Sequence, residues 1–202
     1  MERLCAPYLS LHDHLSSTHI LHSTNWTQHA IHHVLQMLNT YFYPQQIIHG
    51  DLHYHNIFVH ERLGQFMHTP EPVKFIDFGR TVSLNGKFSD ADILTLMSID
   101  VLALLRAACR QCRATADVAR NRSRHHQSRM IHDMLIGFLD HHHMVSMQTL
   151  ERMAPQVVRS HAHHCEQCSG VYDWVDALLR HPMFPNKEGR SHSLSFLDIT
   201  AG

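Results

Sequence analysis

Three side chains that carry hard oxygen atoms lie beside two short apolar runs of the sequence. Asp51 and Asn56 precede the run 57–59, and Asp77 follows the run 73–76. Runs of this length that are rich in β-branched and aromatic residues are typical of strands. A carboxylate at the end of a buried strand is costly to desolvate unless a positive charge compensates for it. Mg²⁺ carrying a polyphosphate would supply that charge, so these side chains point to phosphoryl transfer, with one carboxylate left as a base.

The residues around these positions form two motifs, HGDLHYHN at 49–56 and FIDFG at 75–79. Together they resemble the catalytic loop and the metal-binding DFG of the protein-kinase-like phosphotransferases. The resemblance implies that Asp51 is the base that receives the proton of the acceptor hydroxyl. It also implies that His49 is a structural histidine packed beneath the loop.

The same resemblance assigns Asn56 and Asp77 to Mg²⁺ and, through the metal, to the phosphates of ATP. Gly79 belongs to this nucleotide-binding turn, because a glycine lets the backbone turn sharply after Asp77. The alternative is that the motifs are two solvated turns in another α+β domain. That alternative does not explain the positions of Asp51, Asn56 and Asp77.

The resemblance implies a mainly α (α+β) fold, the large C-terminal lobe of a kinase-like protein. Such a lobe is helical, with short β-hairpins that carry the catalytic and metal-binding loops. It is expected to span residues 1–185, from a hinge to a final helix at 174–184, with a polar tail at 186–202. Residues 1–46 are too few for a small lobe, so that lobe is expected to be absent or supplied in trans.

The catalytic-loop motif departs from that of regulated protein kinases at two positions. Gly50 stands where those kinases usually carry arginine, and His53 where they usually carry lysine. The motif is closer to aminoglycoside and choline phosphotransferases and to small atypical protein kinases. The resemblance therefore implies an ATP- and Mg²⁺-dependent kinase, most simply an atypical Ser/Thr protein kinase, whose acceptor hydroxyl belongs to a protein or to a small molecule. The alternative is a non-catalytic, pseudokinase-like scaffold, since the absence of the small lobe that covers the nucleotide favours inactivity of this chain alone.

Two helices are predicted on either side of the motifs. Apolar residues recur at helical spacing from Asn25 onward, and this helix is expected to stop near Pro44. The segment 93–109 is apolar nearly all round, which is typical of a buried helix.

Asp100 is the one acid in the middle of that second helix, and a buried carboxylate requires hydrogen-bond donors. The resemblance implies that Asp100 accepts hydrogen bonds from backbone amides of the catalytic loop, at His49 and Gly50. Asp90 and Asp92 are expected at the exposed start of the helix.

Six arginines fall within 110–129, a segment predicted to be a solvated helix end and a mobile loop. A site for an anionic partner such as RNA or an acidic peptide is the alternative, and binding to nucleic acid is not expected. Further helices are predicted at 130–138 and 145–158, on either side of the histidine-rich turn 141–143.

Four of the five cysteines form two Cys-x-x-Cys pairs, a spacing that can chelate a structural Zn²⁺. The pairs are Cys109 with Cys112 and Cys165 with Cys168. Against zinc, the pairs are far apart in sequence, and cysteine is also a common small apolar residue at helix ends.

The composition is that of an ordinary globular chain, with 44% hydrophobic and 17% charged residues among 202 and a formal net charge of −1. This balance gives no general attraction to nucleic acid or to a membrane. No signal-peptide pattern or membrane-spanning run is found, and five cysteines without a secretory signal favour an intracellular, reducing compartment. The 23 histidines make the net charge strongly dependent on pH.

Overall fold

The computed structural model of the chain describes residues 8–16, 24–61, 63, 72–84, 88–116 and 122–144. Within these residues the chain is mainly helical with two small antiparallel sheets, which confirms the predicted α+β class. The strands are β1 (Tyr8–Ser10), β2 (Ile47–Ile48), β3 (Ile57–His60), β4 (Val73–Phe75) and β5 (Val82–Ser83). The helices are α1 (Leu11–Ser16), α2 (Thr24–Met37), α3 (Asp90–Ala116) and α4 (Arg122–His141).

The helix predicted between Asn25 and Pro44 is observed as α2, followed directly by a π-helical turn at Leu38–Phe42. Its apolar residues recur every three or four positions and are buried, as the spacing requires; they are Trp26, Ala30, Ile31, Val34, Leu35 and Leu38. The wider π turn carries Phe42 onto the sheet, where its ring centroid lies 5.5 Å from that of Phe75.

The larger sheet has the strand order β1-β3-β4, and every pair in it is antiparallel. The register pairs Ile57 with Phe75, which puts Asn56 opposite Ile76, one residue before Asp77. This pairing brings the ends of the two sequence motifs together. The smaller sheet pairs β2 with β5 and ties the residues before His49 to those after the second motif.

Helix α3 begins with a capping arrangement, in which the backbone N–H of Asp92 donates to Ser89 Oγ at 3.3 Å. Asp90 is exposed as predicted. The prediction that Asp92 is exposed is wrong, since only 6% of its surface is accessible. Thr95 and Leu96, one turn further on, are fully buried, so this face of the helix is turned inward from its first turn.

The arginine-rich segment 110–129 was predicted to be a helix end and a loop; a helix end is observed up to Ala116, but the prediction of a loop is wrong for 122–129, which is helical. Helix α3 continues to Ala116, and α4 begins at Arg122. Arginine is a good helix former, and α4 has an apolar stripe that packs against α3; its buried members are Ile131, Leu135 and Leu139. The helix predicted at 130–138 is the second half of α4.

The histidine-rich turn follows α4, and His143 adopts a left-handed φ of 50° there. The helices predicted at 145–158 and 174–184 and the tail at 186–202 lie outside the described residues. Among the helices that the structure describes, none combines the length and the apolar character needed to cross a bilayer.

Candidate functional site

The loop that carries the first motif is held by a buried carboxylate on α3. The backbone N–H of His49 donates to Asp100 Oδ2 at 2.8 Å, and that of Gly50 donates to Oδ1 at 2.9 Å. These bonds confirm the hydrogen-bonding role predicted for Asp100, which is 1% exposed. Burial raises the pKa of Asp100 above its usual range, while His49 and the two amide bonds act in the opposite direction.

His49 is fully buried and joins the loop of the first motif to the segment before the second motif. The backbone N–H of Asp51 donates to its Nδ1 at 3.3 Å, and its Nε2 lies 3.0 Å from the carbonyl oxygen of Ile76. Because Nδ1 accepts and a carbonyl can only accept, these partners assign the ring proton to Nε2. His49 is thus buried beneath the loop, and its two bonds bring the loop against the chain just before Asp77.

Asn56 is 6% exposed and is fixed by both its side chain and its backbone. Its Nδ2 donates to the carbonyl oxygen of Asp51 at 2.9 Å, and its own carbonyl oxygen accepts the N–H of Ile76 at 3.0 Å. The side-chain nitrogen is used by the loop, so Oδ1 is the atom of Asn56 suited to bind a cation.

Asp77 is exposed and has a left-handed backbone, with φ of 61° and ψ of 66°. A non-glycine residue in this region is strained by about 1–3 kcal/mol and is found where the surroundings enforce it. Phe78 supplies that constraint, because its ring centroid lies 5.0 Å from that of His49 and 6.4 Å from that of Phe42. A Cβ at Gly79 would lie 3.3 Å from Asp77 Oδ1, so glycine leaves room for the carboxylate.

The carboxylate of Asp51 lies beside a cluster of histidines that the two motifs did not predict. His53 Nε2 is 4.0 Å from Asp51 Oδ1, and the Asp51 side chain is 13% exposed. The ring of His53 meets that of His55 at 5.8 Å, and His12 of α1 stacks on His55 at 3.9 Å. The alternating histidines of the loop hinted at this cluster, but nothing in the sequence indicated that α1 would supply His12.

Two further side chains of the site were missed. The hydroxyl of Thr81 donates to the carbonyl oxygen of His49 at 3.3 Å and closes the loop from the far side of the second motif. Burial raises the pKa of Tyr43 well above its usual range, and the charge of Asp100 raises it further. Both residues lie in segments whose sequence has no distinctive spacing.

Hydrogen bonds thus join the predicted residues Asp51, His49 and Asn56 to the chain at Ile76, directly before Asp77 and Gly79, at the end of the β3–β4 pair. Their donor set suits Mg²⁺, which takes oxygen ligands and usually keeps several waters beside one or two protein groups. The part of the chain that the structure describes holds no group of three or more His, Cys, Asp or Glu residues that could bind a metal ion. A site built from one carboxylate and one amide needs no such group.

The zinc prediction is untested. Cys109 and Cys112 fall within α3, three residues apart and so about one turn from each other. Cys165 and Cys168 lie outside the described residues.

No protein-family model, no curated protein and no solved structure matches this chain. The resemblance to kinase-like phosphotransferases therefore rests on the two motifs and on the contacts that join them.

Proposed function

We propose that this chain is the large lobe of an ATP- and Mg²⁺-dependent phosphotransferase of the protein-kinase-like type, which transfers the γ-phosphate to a hydroxyl group. The observation that carries the proposal is that buried Asp100 holds the backbone of the loop at His49 and Gly50, together with the strand register that puts Asn56 opposite Ile76, one residue before Asp77. Two separate solvated turns would require neither a buried carboxylate beneath them nor hydrogen bonds that join one turn to the other.

The surroundings of each residue suggest its role in the proposed reaction. Asn56 Oδ1 and the exposed carboxylate of Asp77 would hold Mg²⁺, which when bound offsets the negative charge of the phosphates. Asp51 has a partly accessible carboxylate, so it can accept a proton from a hydroxyl group brought to the loop. His49 fixes the backbone of Asp51 and does not itself reach the reacting atoms.

The acceptor is proposed to be either a protein hydroxyl or a small-molecule hydroxyl, with no dependence on loop phosphorylation. Gly50 has a φ of 75°, a left-handed backbone that glycine adopts freely and that would strain an arginine. The backbone at this position therefore disfavours the arginine that phosphorylation-regulated kinases usually carry there.

The first test is Mg²⁺-dependent nucleotide binding by residues 1–202, measured by calorimetric titration with ATP in the presence and absence of Mg²⁺. Binding is expected to be weaker than micromolar, since the resemblance places the adenine pocket and the phosphate-clamping lysine in a separate small lobe. Asp77→Asn should abolish the Mg²⁺-dependent part, whereas Asp133→Asn, which changes an exposed acid on α4, should leave it intact. Equal ATP binding with and without Mg²⁺ in the wild type would count against the metal site.

The second test is catalysis. A small lobe of this class supplied in cis or in trans should give phosphate transfer, and Asp51→Asn should then reduce turnover by roughly a hundredfold or more while nucleotide binding persists. Turnover that survives Asp51→Asn would remove Asp51 from the role of base. Nucleotide binding without any transfer would favour the alternative, a pseudokinase-like scaffold.

A further inference from the structure

Helix α2 presents histidines on the side that borders its buried face. His29 and His33 are four residues apart in this helix, and His32 lies between them. His29 is exposed and His33 is half-buried, because the neighbouring Ala30 and Val34 are fully buried in the core. Within the described helices, His29 and His33 are the one pair of histidines at this spacing.

Residues four apart on a helix lie one above the other, with Cβ atoms about 5–6 Å apart. Two imidazole rings at that separation can each turn one nitrogen toward a common point, at the distance of about 2.0–2.1 Å that a Zn²⁺–nitrogen bond requires. Histidines three apart are also neighbours, but they are offset to opposite sides of the helix axis, so His29 with His32 makes a poorer clamp.

The rings of this face influence one another. Burial lowers the pKa of His33 most, and the neighbouring His32 and His29 lower it further, while a hydrogen bond with the Gln36 side chain acts in the opposite direction. The neutral ring of a histidine is the form that binds metal. The bond to Gln36 can also hold the orientation of the His33 ring, as second partners of metal-bound histidines do.

We propose that His29 and His33 form a binding site on the surface of α2 for a divalent transition-metal ion of the class that prefers imidazole, such as Zn²⁺, Ni²⁺ or Cu²⁺. Each histidine contributes one ring nitrogen, and the remaining coordination positions are open to water or to another ligand. The site is distinct in chemistry from the Mg²⁺ site, because imidazole nitrogens select these ions while carboxylate and amide oxygens suit Mg²⁺.

The test uses Ni²⁺, which is paramagnetic and broadens NMR signals of nearby nuclei. The full chain is labelled with ¹⁵N in its histidine rings, and Ni²⁺ is added below one equivalent. The ring signals of His29 and His33, identified by their loss in the single variants, should disappear before those of other histidines. Broadening spread evenly over the exposed histidines would overturn the proposal.

Calorimetric titration with Ni²⁺ then separates the pair from its neighbour. His29→Gln and His33→Gln should each weaken the tightest binding step by roughly tenfold or more, because one half of the clamp is lost. His32→Gln, the matched control on the same face, should change it by no more than about twofold. His29 is exposed, so His29→Gln tests the pair even if His33→Gln disturbs the fold. A loss in His32→Gln as large as that in His33→Gln would assign the metal to another pair and would overturn the proposal.

Discussion

The loop of the first motif, residues 49–56, and the α3–α4 helix pair are held in place by different forces. In the loop, side chains reach backbone groups far along the chain, as from Asp100 to His49 and Gly50 and from His49 to Ile76. The helix pair makes the most extensive contact between elements in the structure, and apolar side chains such as Leu135 fill it. Directional bonds fix where a polar atom lies, whereas apolar packing supplies free energy with little regard to direction. Hydrogen bonds therefore fix the position of the loop, whereas apolar packing between the helices contributes most of their stability.

Asp100→Ala should have the largest effect, because this residue serves both regions. The substitution leaves two buried amides without their acceptor and removes two charge-assisted bonds, which is expected to lower the free energy of unfolding by about 3–6 kcal/mol. The measurement is urea denaturation beside Asp90→Ala, which removes an exposed acid from the same helix and should change little. Equal midpoints for the two variants would mean that the bonds to His49 and Gly50 contribute nothing.

Asp100→Asn separates the hydrogen bonds from the charge, because an amide keeps one acceptor. The folded-state pKa of Asp100 is raised above the ordinary value of 3.8, so folding favours its protonated form. The part of the stability that this shift supplies is greatest below that value and is lost as pH rises through the folded pKa, while the bonds from His49 and Gly50 remain. The free energy of unfolding of the wild type relative to Asp100→Asn should therefore increase as pH falls from about 7 to about 4. A difference that shrinks over this range would show that the ionised carboxylate is favoured by folding.

Leu135→Ala tests the apolar side of the comparison. Leu135 is fully buried on α4, and its truncation should lower the free energy of unfolding by about 3 kcal/mol. The ring signals of His49 should stay unchanged in NMR spectra of the folded variant, because the loop is positioned by its own bonds. Leu94→Ala is the matched control, since Leu94 is 38% exposed on α3. A shift of the His49 signals in Leu135→Ala would show that the two regions are not separable.

Gly50→Ala tests the backbone of the loop. A Cβ at a φ of 75° is expected to destabilise the protein by about 1–2 kcal/mol. The strain acts at the residue whose N–H donates to Asp100, so the ring signals of His49 should shift as well. An unchanged denaturation midpoint would mean that the loop can relax to another backbone conformation.

Gly137→Ala should have the smallest effect and the opposite sign. Gly137 lies within α4, is exposed, and has no atom within 4 Å of the position that a Cβ would occupy. Alanine is the better helix former, so the free energy of unfolding should rise by about 0.5–1 kcal/mol. Thermal or urea denaturation of this variant beside Gly50→Ala compares one substitution in the two regions. A loss of stability would indicate that α4 has a neighbour at this point.

The sequence predicted the parts of this fold whose residue types leave few choices. The run 93–109 is apolar nearly all round, which predicts a buried helix. It contains one acid, Asp100, and a buried carboxylate requires hydrogen-bond donors, so the two predictions depend on each other. His49, Asn56 and Asp77 were predicted as site residues from the fixed spacings within the two motifs. The strand register then brought the two motifs to the same edge, as the motifs require.

The remaining features depend on tertiary contacts that one-dimensional patterns do not record. The burial of Asp92 depends on which way the first turn of α3 faces, and an acid at a helix start looks the same in sequence either way. The segment near Arg122 was interpreted as a solvated loop because it has many charged and few apolar residues, and the helix propensity of arginine was not considered. Strand β1 is three residues long, too short for an alternating pattern, and it forms only because β3 offers an edge.

The π turn at Leu38–Phe42 fixes the length of the chain as well as its path. An α-helix turns by about 100° per residue, and a π turn absorbs one residue more than the regular helix needs. Deleting Asn39 would return the turn to regular helix and keep Phe42 beside Phe75, whereas inserting one residue would rotate Phe42 by about that angle away from Phe75, without changing either aromatic residue. An insertion in this stretch should therefore be tolerated far less well than substitutions at the exposed Asn39 or Thr40.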